Sequence, residues 1–275
     1  MQHGVRLTLA YDGGGFSGFA DQRGQRTVQG VLREAVQRVC GHPVVVRGAS
    51  RTDAGVHALG QVAAFASARE LAPGRWLNAI NRYLPDDVAV RAAAACAPDY
   101  DPRFDARDKT YRYLFHLGRA RQPLLREHAW HVGKLIYRLP FGSNGEALLD
   151  LDAMRQTCAL LQGTHDFRAF RAAADVREST RRTLQRLDLL ERHGGEPALL
   201  ALEVQGEAFM LNMVRILAGT LIEVGRGRLT PERVGALLSP QGERKHAGMT
   251  APAHGLTLVT VTLGRLRAEA SRSAP

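Results

Sequence analysis

The stretch Pro43-Val44-Val45-Val46-Arg47-Gly48-Ala49-Ser50-Arg51-Thr52-Asp53-Ala54-Gly55-Val56-His57-Ala58 decides how this chain reads, because it sets a β-like run against a loop whose carboxylate lies between an arginine and a glycine. Three β-branched valines after a proline predict a strand over residues 44–46, and the polar residues beyond it are then the loop at its end. A second strand is predicted over 61–66. Loops held by rigid strands are where chemistry concentrates, so Asp53 and its neighbours read as a site rather than as core.

Working outward, Val5, Leu7, Leu9 and Tyr11 alternate with Arg6, Thr8 and Ala10, the period of a strand with one buried face. Thr27 can cap a helix that carries Val28, Val31, Leu32, Ala35, Val36 and Val39 on one stripe and is closed by Gly41 and Pro43. A helix over 73–84 stopped by Pro85 and a strand over 88–95 complete a β-α-β-β-α-β unit, the split ferredoxin-like pattern. The second half repeats it, with a strand through Tyr111, Tyr113, Phe115 and Leu117, a helix over 151–162, and strands over 183–191 and 199–206. An amphipathic helix over 209–224, a short one over 230–238 and a strand over 256–263 follow.

The predicted fold class is therefore α+β: two ferredoxin-like halves sharing a mainly antiparallel sheet with a central cleft. Ala97-Pro98-Asp99-Tyr100-Asp101-Pro102 interrupts both periodicities and marks the boundary. Residues 1–100 then form an amino-terminal α/β subdomain with the Asp53 loop, residues 101–264 a carboxy-terminal one, and the polar tail 265–275 is expected to fray. Residues 119–150 are less regular and read as loops.

A chain of 275 residues with 45% hydrophobic composition can bury a substantial core. Its formal charge is +10, and only Lys109, Lys134 and Lys245 are lysines, which leaves 34 arginines. Planar guanidinium forks suit phosphates and base stacking, making nucleic acid the leading partner class, although a GC-rich coding sequence would also raise the arginine count. Cys40, Cys96 and Cys158 are far apart and odd in number, against a disulfide framework or a zinc knuckle. His128-x-x-His131 lacks the glutamate of a metalloprotease motif, so no metal site is predicted. With no signal-peptide pattern and no run near the roughly 18 apolar residues needed to span a bilayer, a cytosolic protein is expected.

Gly13-Gly14-Gly15-Phe16-Ser17-Gly18 matches the dinucleotide fingerprint in form. In that fingerprint the glycines open a helix that holds a pyrophosphate, whereas here residues 19–26 intervene before Thr27. No nucleotide cofactor is predicted; the segment reads as a flexible basic loop that touches phosphates through Arg23 and Arg26.

Tyr11-Asp12-Gly13, Thr27-Val28-Gln29-Gly30, Arg51-Thr52-Asp53-Ala54-Gly55-Val56-His57-Ala58 with Gly60-Gln61-Val62, Lys109-Thr110-Tyr111-Arg112-Tyr113, Met213-Val214-Arg215 and Ala251-Pro252-Ala253-His254-Gly255-Leu256 occur in that order. Together they resemble the tRNA pseudouridine synthase A family from about residue 5 to residue 263. The resemblance implies a pseudouridine synthase fold and a cofactor-free homodimer acting on uridines 38, 39 and 40 of the tRNA anticodon stem-loop. It departs from the family pattern at Phe19-Ala20-Asp21-Gln22, where many members carry Gly-Trp-Gln, at Ser50, where many have glycine, and at Phe209-Met210-Leu211-Asn212. These departures bear on RNA contact, not on the reacting group.

The chemistry is consistent with that resemblance. Breaking a uridine N-glycosidic bond and rejoining the base through carbon needs a carboxylate at the anomeric carbon, as nucleophile or to assist elimination, and neither redox nor metal chemistry. The resemblance makes Asp53 that group and gives Arg215 the counter-charge, offsetting the upward pKa shift that desolvation would impose. It assigns Tyr111 to stacking on the target base, a contact of roughly 1–3 kcal/mol that tolerates a turning uracil, although periodicity alone puts Tyr111 and Tyr113 in the core. Arg51 would replace an extruded nucleotide in the stack, or else contact a phosphate. Leu256 would form an apolar wall beside the uracil. His57 and His165-Asp166-Phe167 read as structural hydrogen-bonders. A non-catalytic RNA-binding or RNA-folding protein would share the charge but would not require Asp53.

Overall fold

A computed structural model describes residues 2–136, 139–140, 142 and 148–264. The chain forms two compact units, one within Met1–Lys109 together with residues from Leu258 onward, the other Thr110–Thr257. The first contains β1 (His3–Tyr11), α1 (Val28–Cys40), β2 (Arg47–Gly48), β3 (His57–Ser67), α2 (Pro73–Asn81), β4 (Val88–Cys96) and α3 (Pro102–Asp105). The chain leaves it within β5 (Ala106–His116). The second unit holds β6 (Trp130–His131), α4 (Gly133–Ile136), α5 (Leu151–Leu161), β7 (Gly163–Asp166), β8 (Arg181–Glu191), β9 (Leu199–Gly206), α6 (Met213–Gly225) and α7 (Pro231–Ala236). Within β10 (Leu256–Leu263) the chain returns to the first unit.

In the first unit β1 lies between β4 and β3, antiparallel to both, with Leu9 opposite Gln61 and Val90. β2 adds to the far side of β3, giving the strand arrangement of a split β-α-β-β-α-β unit. Leu7, Leu9, Leu32, Val36, Phe65, Trp76 and Ile80 are fully or almost fully buried, and the Phe65 and Trp76 rings meet edge-on at 5.2 Å. α1 begins where predicted: the Thr27 side chain accepts from the Gly30 N–H, and Gly41 closes the helix at φ 77°.

The valine run differs from expectation. Val44 and Val46 are buried and Val45 exposed, as in a strand, yet only Arg47 and Gly48 pair with β3. Pro43 has no N–H, and Gln29 of α1 donates to the Val46 carbonyl at 2.7 Å, so the ladder starts one residue later. α2 also ends early, at Asn81, whose side-chain amide donates to the Val90 carbonyl (2.9 Å) and accepts from the Val90 N–H (2.8 Å) of β4.

In the second unit the strand order is β5-β9-β8-β7, with antiparallel β7/β8 and β8/β9 pairs and β6 parallel to β5. Arg112 of β5 donates through Nε to Glu203 of β9 at 2.9 Å. Phe115, Met154, Leu161, Phe167, Phe170, Leu202, Val204, Ile216, Leu217 and Leu221 form its core. β7 was not anticipated, and residues 119–150 hold β6 and α4 as well as loops. The tail 265–275, expected to fray, lies outside the described residues. No helix among the described residues is long and apolar enough to cross a membrane.

Candidate active site

In the first unit, the loop carrying Arg51 and Asp53 is held by backbone and by buried polar side chains. Gln61, fully buried on β3, donates through Nε2 to the Ser50 carbonyl at 2.8 Å and accepts from the Ser50 N–H at 3.3 Å. The Thr52 hydroxyl hydrogen-bonds the Tyr11 hydroxyl at 2.8 Å, both side chains being buried. Beyond Asp53 the chain turns tightly: the Val56 N–H donates to the Asp53 carbonyl at 3.2 Å, with Gly55 at φ 78°. Arg51 is exposed and Asp53 half-buried, so these two charged side chains sit at the unit's surface on a fixed backbone.

The glycine-rich segment after β1 is the other wall of this loop. Phe19 donates its N–H to the Thr52 carbonyl (3.1 Å) and Gly55 donates to the Phe16 carbonyl (3.3 Å). A Cβ on Gly13 would fall 2.1 Å from the Val56 carbonyl oxygen, and one on Gly18, at φ 98°, would fall 2.8 Å from the Thr52 oxygen. These glycines allow two backbones to touch; the match to a dinucleotide fingerprint is formal only. Phe19 is buried, with its ring over Gly48, so this departure from the family pattern is part of the packing. The expectation of a flexible phosphate-touching loop fails at Arg26. Its guanidinium grips Asp87 at 2.8 and 2.9 Å and lies 3.9 Å over the Phe16 ring, a bidentate, stacked placement that anchors the segment. His57 is buried and accepts from the Gly13 N–H at 3.1 Å, with Asp12 Oδ1 also 3.1 Å from the same nitrogen.

The second unit gathers the other three predicted residues. Tyr111, on β5, is buried and meets the Phe209 ring edge-on at 5.2 Å. Arg215, in the first turn of α6, is half-buried and fixed by two donated hydrogen bonds, Nε to the Ala251 carbonyl (2.7 Å) and Nη1 to Asn212 Oδ1 (2.8 Å). The Ala251 N–H in turn donates to the Arg215 carbonyl at 3.1 Å. Tyr113 donates to the Pro252 carbonyl at 2.8 Å, and a Cβ on Gly255 would meet its ring at 2.6 Å, which seats the 251–255 segment on β5 and leads into buried Leu256. Burial pushes the Tyr113 phenol well above the ordinary range, and the nearby Arg215 charge offsets part of that shift.

Two supports here were not read from the sequence. The predicted helix over 209–224 begins only at Met213, because Asn212 stands at φ 61° and breaks it. Asparagine tolerates that backbone region, so Phe209-Met210-Leu211-Asn212 before an apolar run was the available signal. The second is Asp175, which is buried and accepts from the Leu211 N–H (2.7 Å) and the Arg177 N–H (3.1 Å). Arg177 Nη1 donates to the Phe209 carbonyl at 2.7 Å, and the Ala172 N–H to the Leu211 carbonyl at 3.0 Å. The loop that presents Phe209 and Asn212 is thus clamped from 172–177. In His165-Asp166-Phe167, read as structural hydrogen-bonders, His165 Nε2 donates to the Gln162 carbonyl at 2.7 Å, and Asp166 accepts from Thr180 Oγ1 at 2.6 Å. His131, of the incomplete metal pattern, donates through Nε2 to the Gly118 carbonyl at 2.9 Å.

Against known proteins, a family model described as tRNA pseudouridine synthase matches residues 8–105 and 157–262. The chain is 43% identical over 258 residues to tRNA pseudouridine synthase A of Pelobacter propionicus, covering 94% of this chain and 98% of that protein. It is 41% identical to the proteins of that name from Syntrophotalea carbinolica, over 94% of this chain and 95% of the relative, and Geobacter sulfurreducens, over 94% and 98%. Among solved structures, a Cbf5-Nop10-Gar1 complex chain aligns at a TM-score of 0.35 and 10% identity, over 93% of this chain and 49% of that one.

Proposed function

Because this chain belongs to the tRNA pseudouridine synthase family, and is therefore an isomerase, we propose that it converts uridine to pseudouridine at positions 38, 39 and 40 of the tRNA anticodon stem-loop. The observation that carries the reading is the loop from Arg51 to Val56, a single carboxylate on a turn fixed by Gln61, Tyr11 and the glycine-rich segment. The C1′–N1 bond of uridine breaks, a C1′–C5 bond forms, and the C5 proton is lost while N1 gains one. Asp53 acts at the anomeric carbon and Arg215 supplies its counter-charge. Tyr111 stacks on the turning base, Leu256 gives an apolar wall, and Arg51 fills the gap left by the extruded nucleotide. The reaction needs no cofactor. The working form is a cytosolic homodimer whose subunits jointly hold the tRNA.

Tritium release from tRNA labelled at uridine C5, with pseudouridine mapping of the product, tests this. The native protein is expected to release tritium and to modify positions 38–40, whereas Asp53→Asn binds tRNA and releases none. Release that persists in the Asp53→Asn protein overturns the role given to Asp53, and pseudouridine elsewhere in the tRNA overturns the position. Unchanged assistance to RNA folding without pseudouridine would favour the non-catalytic reading.

A further inference from the structure

Around Asp175, in the segment between Phe170 and β8, arginines gather that the reaction above does not use; the segment's other carboxylate, Glu178, is exposed. Asp175 is surrounded by guanidinium groups: Arg177 pairs with it at 3.4 Å, and the charges of Arg171 and Arg177 both act on its carboxylate. Burial would raise the Asp175 pKa, but the Leu211 and Arg177 N–H bonds and these two charges hold it below the ordinary carboxylate value. Arg182, one residue into β8, adds a third cation close to Arg177. Asp175 therefore faces three guanidinium groups, and with Glu178 on the same loop the cluster still carries one more cation than anions.

Those groups are held in place by backbone carbonyls, which bind the donors without neutralising the charge. Arg171 Nη1 donates to the Arg177 carbonyl (2.8 Å), Arg177 Nη1 to the Phe209 carbonyl (2.7 Å), and Arg182 Nη1 to the Ser179 and Arg181 carbonyls (3.1 and 2.6 Å). Arg182 Nε is buried without an acceptor among the described residues, and burial together with Arg177 makes its charge harder to keep. Arg26, by contrast, is matched by Asp87, and Arg112 by Glu203, which Arg186 also approaches at 3.7 Å. Between them, at the loop tip, Val176 is 93% exposed, so the surface is open to a large partner.

We propose that Arg171, Arg177 and Arg182 form a docking site for the phosphodiester backbone of the RNA substrate, a reading that rests on the tRNA-modifying function proposed above. Preset guanidinium forks with surplus positive charge are what a phosphate oxyanion needs, and an arriving anion relieves the repulsion among them. Through Arg177 and Asp175 the site is joined to the loop that presents Phe209 to Tyr111 and Asn212 to Arg215. Phosphate docking here sets the register of the RNA rather than reading its bases.

The test is equilibrium binding of an unmodified tRNA transcript across a range of salt concentrations. Arg171→Gln and Arg182→Gln should each weaken binding several-fold and flatten the slope of log K against log salt by about 1, while Arg182→Lys keeps most of the slope. Folding is checked by circular dichroism and melting; should Arg182→Gln unfold, Arg171→Gln carries the test alone. Folded variants that bind with native affinity and native slope overturn the site. Pseudouridine formation by the native protein is measured on the same transcript. Native protein that binds through these arginines but makes no pseudouridine sinks the isomerase reading and leaves the docking site standing. Turnover with unaltered variant binding sinks the docking site alone.

Discussion

At the scale of single residues, Asn212 shows how much of a site can depend on one backbone angle. It stands at φ 61°, ends the loop before α6, and its side chain accepts the Arg215 Nη1 hydrogen bond. An ordinary side chain costs roughly 1–2 kcal/mol in that conformation, and glycine costs far less. Asn212→Gly should therefore fold with near-native stability yet lower kcat by about 10–100-fold, the scale on which small misplacements act, because Arg215 loses its side-chain acceptor. Asn212→Ala should show the same kinetic loss and in addition be destabilised by about 1–2 kcal/mol in urea unfolding. Native kcat in Asn212→Gly would show that the hydrogen bond does not hold Arg215 in its working position. Asp53, Arg51, Tyr111, Arg215 and Leu256 could be named from motifs alone. Their supports could not: Gln61, Asp175 and Asn212 act on residues 11, 36 and 3 positions away, and only coordinates show which backbone groups they meet.

At the scale of elements, local periodicity carried the reading where one face is buried and failed where backbone geometry decides. α1, β1 and the start of β4 were legible because their apolar stripes and caps agree with their burial, and β3 and β9, buried along most of their length, because they are short apolar runs. The run at 44–46 was not, because a helix side chain took a carbonyl that a ladder would use, a contact with no sequence signal. The packing of the glycine-rich segment on the Asp53 loop was equally hidden, and it yields a clean experiment. Gly18→Ala puts a Cβ 2.8 Å from the Thr52 carbonyl at a residue with φ 98°, whereas Gly24→Ala has a comparable φ of 74° with nothing within 4 Å. Gly24→Ala should lose only about 1 kcal/mol, the cost of the backbone angle. Gly18→Ala should lose more, about 1–3 kcal/mol, and also lower kcat, since relief requires moving the chain on either side of Asp53. Equal melting temperatures and equal turnover in the two variants would mean that the segment does not brace the loop.

At the scale of the whole molecule, a net charge of +10 is spread over arginines with two different tasks. Arg26 and Arg112 are spent on structure, each matched by a carboxylate, while the cluster beside Asp175 is in surplus. Global stability should also respond to acid through His116, which is buried and has an Nδ1 without an acceptor among the described residues. Burial, with His131 nearby, lowers its pKa, so the folded state keeps it neutral while the unfolded state titrates normally near 6.5. The unfolded chain then binds more protons between those two values, and stability is full above about pH 6.5 and falls as the pH drops through the folded pKa. Urea unfolding at pH 7, 6 and 5 should show that decline, and His116→Gln should remove part of it; an unchanged decline would assign it to other groups. One further consequence comes from the margin of the first unit, where Asn81 uses both ends of its amide on the main chain of Val90. That amide mimics an adjoining strand at the outer rim, occupying the donor and acceptor with which a foreign polypeptide would begin to zip on. The alanine-rich border can therefore stay short of bulky side chains without inviting sideways polymerisation at that point.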